Sequence, residues 1–99
     1  MSGINTGTIP GYNYRNITTA TTTVVSSSPG ILHAITFNNP VATSVITIYD
    51  NTSAAGTKIG TITVPASPLP VTLLFDAAFG TGLTIVTATA ASDITVSYI

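Results

Sequence analysis

The sequence predicts an all-β protein: an antiparallel β-sandwich of about seven or eight strands, jelly-roll or Ig-like, with an extended N-terminal arm. Three observations carry this expectation. Thr and Ser alternate with Val, Ile and Leu over most of the 99 residues, the period-two pattern of strands with one wet face. Turn residues interrupt that alternation at short, regular intervals. Apolar residues at helical spacing are sustained nowhere, and the pairs Ala77-Ala78 and Ala90-Ala91 are too short to nucleate more than a turn.

Residues 1–17 read as the arm, because Gly3, Gly7, Pro10 and Gly11 punctuate them and no alternation develops. The same segment is also able to add an eighth strand. A single domain, residues 18–99, follows, since a chain of this length holds one core. Thr19 to Ser27 is β-branched and closes at Ser28-Pro29-Gly30. Ile31, His33, Ile35 and Phe37 then alternate with polar and small residues up to the stop at Asn38-Asn39-Pro40. Ser44 to Asp50 and Lys58 to Val64 flank a polar turn, and Pro65 to Pro70 makes a stiff corner unfit for a central strand. Val71, Leu73 and Phe75 share one face of a strand expected to end at Asp76. Leu83 to Ala88 follows the Gly80/Gly82 turn, and Ile94, Val96 and Tyr98 share a face of the last strand.

Charge is the outlier in the composition. Charged residues make up 5% of the chain, against about 25% in an ordinary domain. Two basic and three acidic side chains leave a net charge of −1, a poor match to nucleic acid, whose phosphates demand several Lys or Arg. No apolar run approaches the roughly 20 residues that span a bilayer, so no membrane partner is expected. The absence of cysteine excludes a disulfide framework and a thiolate metal site. The first residues lack the basic and apolar regions of a secretory signal, so export by that route is not expected. The uncharged strand edges lack the usual protective Lys, which implies that identical neighbours cover them and that the chain is a homo-oligomer.

Chemistry-bearing residues are few. His33 is the only histidine, and a metal site built on it has only Asp50, Asp76 and Asp93 to draw on. Each Asp falls at an expected strand boundary, where a short acceptor caps turn N–H groups. His33, placed with Ile31, Ile35 and Phe37, is expected to be a hydrogen-bonded core or subunit-contact residue. Hydroxyls abound, yet no base is positioned to activate one, and Gly80-Thr81-Gly82 lacks the Lys-Ser or Lys-Thr of a phosphate-binding loop. Asn16-Ile17-Thr18 and Asn51-Thr52-Ser53 match the glycosylation acceptor pattern, which arises by chance in a chain rich in Asn and Thr. The expectation is a protein that is not an enzyme and uses no cofactor, metal or small-molecule substrate. Tyr12, Tyr14 and Arg15 close the arm; such residues anchor interfaces or fold back on their own domain.

The runs Gly30-Ile31-Leu32-His33-Ala34-Ile35-Thr36-Phe37-Asn38 and Ile48-Tyr49-Asp50-Asn51-Thr52-Ser53-Ala54-Ala55-Gly56-Thr57 carry a resemblance, together with Gly82-Leu83-Thr84-Ile85-Val86-Thr87 and Asp93-Ile94-Thr95-Val96-Ser97-Tyr98. They resemble small β-sandwich structural proteins of tailed bacteriophages, most of all the capsid decoration, or cement, proteins. The resemblance covers Pro29 to Ile99 and rests on strand-and-turn patterns. It implies a homotrimer on the outer surface of the virion capsid, clamping adjacent major capsid protein subunits. Ile9, Tyr12, Tyr14, Arg15 and Ile17 are then the candidate contacts with capsid or sister subunits. The alternative it leaves open is a tail or spike module that binds host-surface glycan.

Overall fold

The computed structural model describes residues 11–99. They form eight strands: β1 (Asn13–Ile17), β2 (Thr22–Ser26), β3 (Gly30–Asn39), β4 (Val45–Asp50), β5 (Thr57–Thr63), β6 (Val71–Phe79), β7 (Leu83–Ala88) and β8 (Asp93–Tyr98). Two four-stranded sheets result, in the orders β1-β8-β3-β6 and β2-β7-β4-β5. Every pairing is antiparallel. First pairs with last and so on inward, β1 with β8, β2 with β7, β3 with β6 and β4 with β5. A long hairpin wound into two facing sheets has this order, so the β-sandwich is a jelly roll rather than an Ig-like fold.

The core lies between the sheets, where alternation places Leu32, Ile35 and Phe37 of β3 and Ile94 and Val96 of β8 opposite Ile46, Ile48, Leu83 and Ile85. Phe79 closes one end of it, and its ring stands where a Cβ on Gly30 would have to go. Two buried hydroxyls, Ser44 and Ser92, hydrogen-bond each other at 2.7 Å, and Ser92 Oγ accepts the Val41 N–H at 2.8 Å. The Gly80–Gly82 turn is held by Asp50, whose carboxylate accepts the Gly80 N–H at 3.0 Å and the Thr81 N–H at 2.9 Å. Those two backbone donors hold the Asp50 carboxyl below its ordinary range. The amides of the Gly80-Thr81-Gly82 turn are thus directed at a residue of the chain itself.

Three local expectations change. Asn13 to Ile17, assigned to the arm, is β1, an edge strand paired with β8 from Asn13↔Tyr98 to Ile17↔Ile94. Residues 1–10, Ile9 among them, lie outside the described residues. The strand expected to end at Asp76 continues to Phe79, because Asp76 takes a left-handed conformation, φ 47°, that Asp tolerates. The pairing with β3 shifts there and resumes, as at a β-bulge.

The third change follows from the second. Leu32 and Ile35 are both core residues with two positions between them rather than one, so the register irregularity at His33 flips the phase of β3. Ile35 and Phe37 face inward as expected, whereas Ile31 and His33 face outward. His33 is therefore a hydrogen-bonded surface residue and not a core one. Only Asp50 among the three acids has the turn-capping role. Asp76 lies within β6, and Asp93, first in β8, accepts hydrogen bonds from the side chains of Asn16 at 2.7 Å and Asn38 at 3.1 Å.

Candidate interaction surface

The outward face of the sheet β1-β8-β3-β6 gathers the residues that the sandwich does not use internally. Tyr14 on β1, 74% exposed, and Leu74 on β6, 69% exposed, mark its two sides. They are the ends of one cross-strand row, Tyr14↔Ser97, Ser97↔Ala34 and Ala34↔Leu74, with small residues between. Tyr12 and Ile31 are exposed at the same end of the sandwich as Ile99, which exchanges two backbone hydrogen bonds with Ile31 at 3.0 and 2.9 Å. Leu74 breaks the alternation of β6, since Leu73 and Phe75 on either side already pack on the core. The doublet Leu73-Leu74 was its signal in the sequence: a large apolar residue in the polar phase of a strand.

Toward the Tyr12 and Ile31 end of this face sits a hydrogen-bonded His–Asp pair. His33 Nδ1 is 2.6 Å from Asp76 Oδ1, and the Tyr12 ring stacks on the imidazole with centroids 4.1 Å apart and planes 4° from parallel. The bulge creates the pair, because it turns His33 outward beside the left-handed Asp76. A second polar network runs along the opposite end: Asn38 Nδ2 donates to Thr95 Oγ1 at 2.9 Å, Asn16 reaches Asp93, and Thr36 and Thr72 hydroxyls meet at 3.0 Å. Asn16 of the first glycosylation-like triplet is thus engaged with β8.

The four expected contact residues among the described ones separate. Tyr12 and Tyr14 stand on this face, with Tyr12 half-exposed. Arg15 lies beside them in β1 but lines a different feature, an open polar trough of about 400 Å³ between β1 and β2 walled by Thr18, Thr19, Thr21 and Thr22. Ile17 is 4% exposed and belongs to the domain's own core, where it meets Ile94 across the strand pair.

One edge of the sandwich is apolar. Between β5 and β6 runs a groove of about 190 Å³ lined by Phe37, Ile62, Pro65, Pro68, Val71 and Leu73, with Leu69 standing 77% exposed at its rim. The proline corner shapes it, since Pro65, Pro68 and Pro70 keep this segment out of the ladder. No group of three or more metal-binding side chains occurs among the described residues. What the arrangement offers chemically is contact area: aromatic and aliphatic side chains around a hydrogen-bonded His–Asp pair, with almost no net charge.

Comparison with known proteins returned no matching family model, no matching curated protein and no matching solved structure.

Proposed function

We propose that this chain is a virion structural protein, a capsid decoration or cement protein that binds the outer capsid shell and stabilises contacts between major capsid protein subunits. The observation that carries the reading is the concentration of large exposed apolar side chains, Tyr12, Tyr14, Ile31 and Leu74, on one face of a domain with five charged residues. Uncovered apolar patches mark surfaces that meet other proteins. Tyr is also the residue type most suited to anchor them, offering area with a polar tip. The jelly roll agrees with a capsid role, although the fold also serves lectins and enzymes, so the surface supports the reading more than the fold does. The end of the sandwich bearing Tyr12, Ile31 and Ile99 is the side assigned to the shell. The resemblance implies three copies per site.

Cryo-electron microscopy of the assembled particle tests this directly. Density for the chain bridging capsomers is the expected result. Density confined to the tail, or none on the particle, overturns it. Co-sedimentation with undecorated capsids gives the residue-level test: Tyr12→Ala and Tyr14→Ala together are expected to weaken binding at least tenfold. Unchanged binding removes the tyrosines from the interface. A second reading, a glycan-binding tail or spike module, is favoured by the same two rings, because an exposed tyrosine face is also a platform for a sugar. Specific hits on a glycan array, lost in the double variant, would replace the first reading with the second.

A further inference from the structure

Four of the five charged side chains are engaged within the domain. The Asp50 carboxylate holds the turn at Gly80 and Thr81, Asp76 holds His33, and Asp93 accepts from Asn16 and Asn38. Lys58 rests over the Tyr49 ring. Arg15 has no ion-pair partner among the described residues, and residues 1–10 contain no acid to supply one. Its place in β1 is also unusual. Tyr14 and Asn16 on either side face outward, so Arg15 shares the inward phase of Ile17 and stands opposite the core residue Val96. At this edge strand the inward phase opens into the polar trough of about 400 Å³ between β1 and β2.

The trough is preformed. Thr87, 3% exposed, ties down the crossover from β1 to β2. Its Oγ1 donates to the Thr19 carbonyl at 2.6 Å and accepts the Thr21 N–H at 3.0 Å, and its N–H donates to the Thr21 carbonyl at 2.9 Å. Those bonds use only the backbone of the crossover. Thr18, Thr19, Thr21 and Thr22 line the trough, and their hydroxyls have no hydrogen-bond partner among the described residues.

We propose that this trough binds an acidic saccharide, a uronate or sialate, with its carboxylate on the Arg15 guanidinium and its ring hydroxyls on the threonines. A guanidinium presents two parallel N–H donors to a carboxylate. A threonine hydroxyl both donates and accepts, so a wall of them matches a polyol, whose hydroxyls do the same. Ligand sites begin at about 300 Å³, so the trough has room for a sugar residue. An inward charge also guards an edge strand against pairing. That role needs a cation only and makes no use of the hydroxyl wall. The site is separate from the surface assigned to the shell, because β1 starts at the end bearing Tyr12, Ile31 and Ile99 and runs away from it to Ile17. Either reading of the whole protein accommodates the site, and it rests on neither.

Titration of the isotope-labelled protein, followed by its amide NMR signals, tests this with D-glucuronate as the probe and D-glucose and acetate as controls. Saturable shifts confined to residues 15–24 are expected with glucuronate, and binding at least tenfold weaker with either control. Arg15 is exposed, so its variants leave the core intact. Arg15→Gln is expected to weaken glucuronate binding about tenfold or more, the loss of a charge-assisted hydrogen-bonded contact. Arg15→Lys keeps the charge but loses the fork, and is expected to fall between. Thr18→Val and Thr22→Val remove exposed hydroxyls and are expected to weaken binding of glucuronate but not of acetate. Acetate binding as tightly as glucuronate overturns the saccharide and reduces the site to a bare carboxylate contact. Shifts that fail to saturate, fall elsewhere or survive Arg15→Gln overturn the site. Glucuronate binding is expected to persist in the Tyr12→Ala, Tyr14→Ala double variant, and its loss there would transfer the sugar to the tyrosine face.

Discussion

The two outward faces of the sandwich are made from nearly the same residue types and behave as different surfaces. On β2-β7-β4-β5 most outward residues are small or β-branched, as in the cross-strand row Thr22↔Val86, Val86↔Thr47 and Thr47↔Thr61, with Tyr49 the aromatic exception. Its single charge, Lys58, rests with Nζ 5.9 Å from the centre of the Tyr49 ring. Threonine methyls pack along the pleat while the hydroxyls stay wet, so this face is complete as it stands. On β1-β8-β3-β6 the outward residues include Tyr12, Tyr14, Ile31 and Leu74. Among the described residues, every side-chain-to-side-chain hydrogen bond on an outward face lies here. The difference lies less in composition than in register. An irregularity that reaches the central strand β3 turns a histidine outward against a left-handed aspartate, and large apolar side chains flank that pair with nothing among the described residues to cover them.

Substitutions at matched positions measure how deep the difference goes. The largest effect is expected from glycine. A Cβ on Gly30, in the first sheet, would stand 2.9 Å from Phe79 Cζ and against the Ile99 carbonyl. Gly30→Ala should therefore cost about 1–3 kcal/mol, lowering the melting temperature by roughly 4–8 °C per kcal/mol. In the second sheet, a Cβ on Gly60 meets only Phe75 Cε2, at 3.9 Å, and Gly60→Ala should leave the melting temperature unchanged or slightly higher. Equal losses at both sites would show that crowding does not distinguish the sheets.

Asp76 comes next. Asp76→Ala removes the partner of His33 and leaves a Cβ residue at φ 47° without the local hydrogen bonding that helps Asp there. Because the Asp76 side chain is 63% exposed, its contact with His33 contributes little to stability. The expected loss in urea denaturation is about 1 kcal/mol, chiefly from the backbone. Asp76→Gly, which relieves the backbone and equally lacks the carboxylate, should lose less. If Gly and Ala cost the same, the His33–Asp76 contact rather than the bulge holds this face together.

Asp50 ties the end of β4 to the turn that carries the chain from β6 in one sheet to β7 in the other, and its effect should be confined in pH. The carboxyl is held below its ordinary value of 3.8 by the Gly80 and Thr81 amides. A lowered folded-state pKa favours folding above the unfolded value, and that contribution fades as pH falls below 3.8 toward the folded value. Urea midpoints of wild type and Asp50→Asn should differ at pH 6 and converge as the carboxyl becomes protonated. A gap that persists in strong acid would assign the turn's stability to something other than the charge. The smallest effect is expected on the Thr face: Thr47→Ala and Thr61→Ala should each stay within about 0.5 kcal/mol and leave the capsid binding proposed above unaltered. A loss of that binding would extend the proposed interface to the second face.

The sequence by itself determined the class of fold, the run of strands from β2 to β8, the proline corner and most of the core, because side-chain alternation and turn residues are local and need no partner strand to be read. It also determined that charge could play little part in recognition. Strand order was decided only in three dimensions, since jelly-roll and Ig-like windings use the same strands and turns. The assignment of Asn13–Ile17 to a sheet was decided there too: a short strand without alternation is held by β8, not by its own propensity. Most of the candidate surface belongs to that second category. His33, Ile31 and Asp76 reach it through a register shift between β3 and its neighbours, and one displaced residue reverses the facing of those before it. A period-two reading has no way to locate such a shift, because the bulge residue takes its φ from the ladder around it and not from its own side chain.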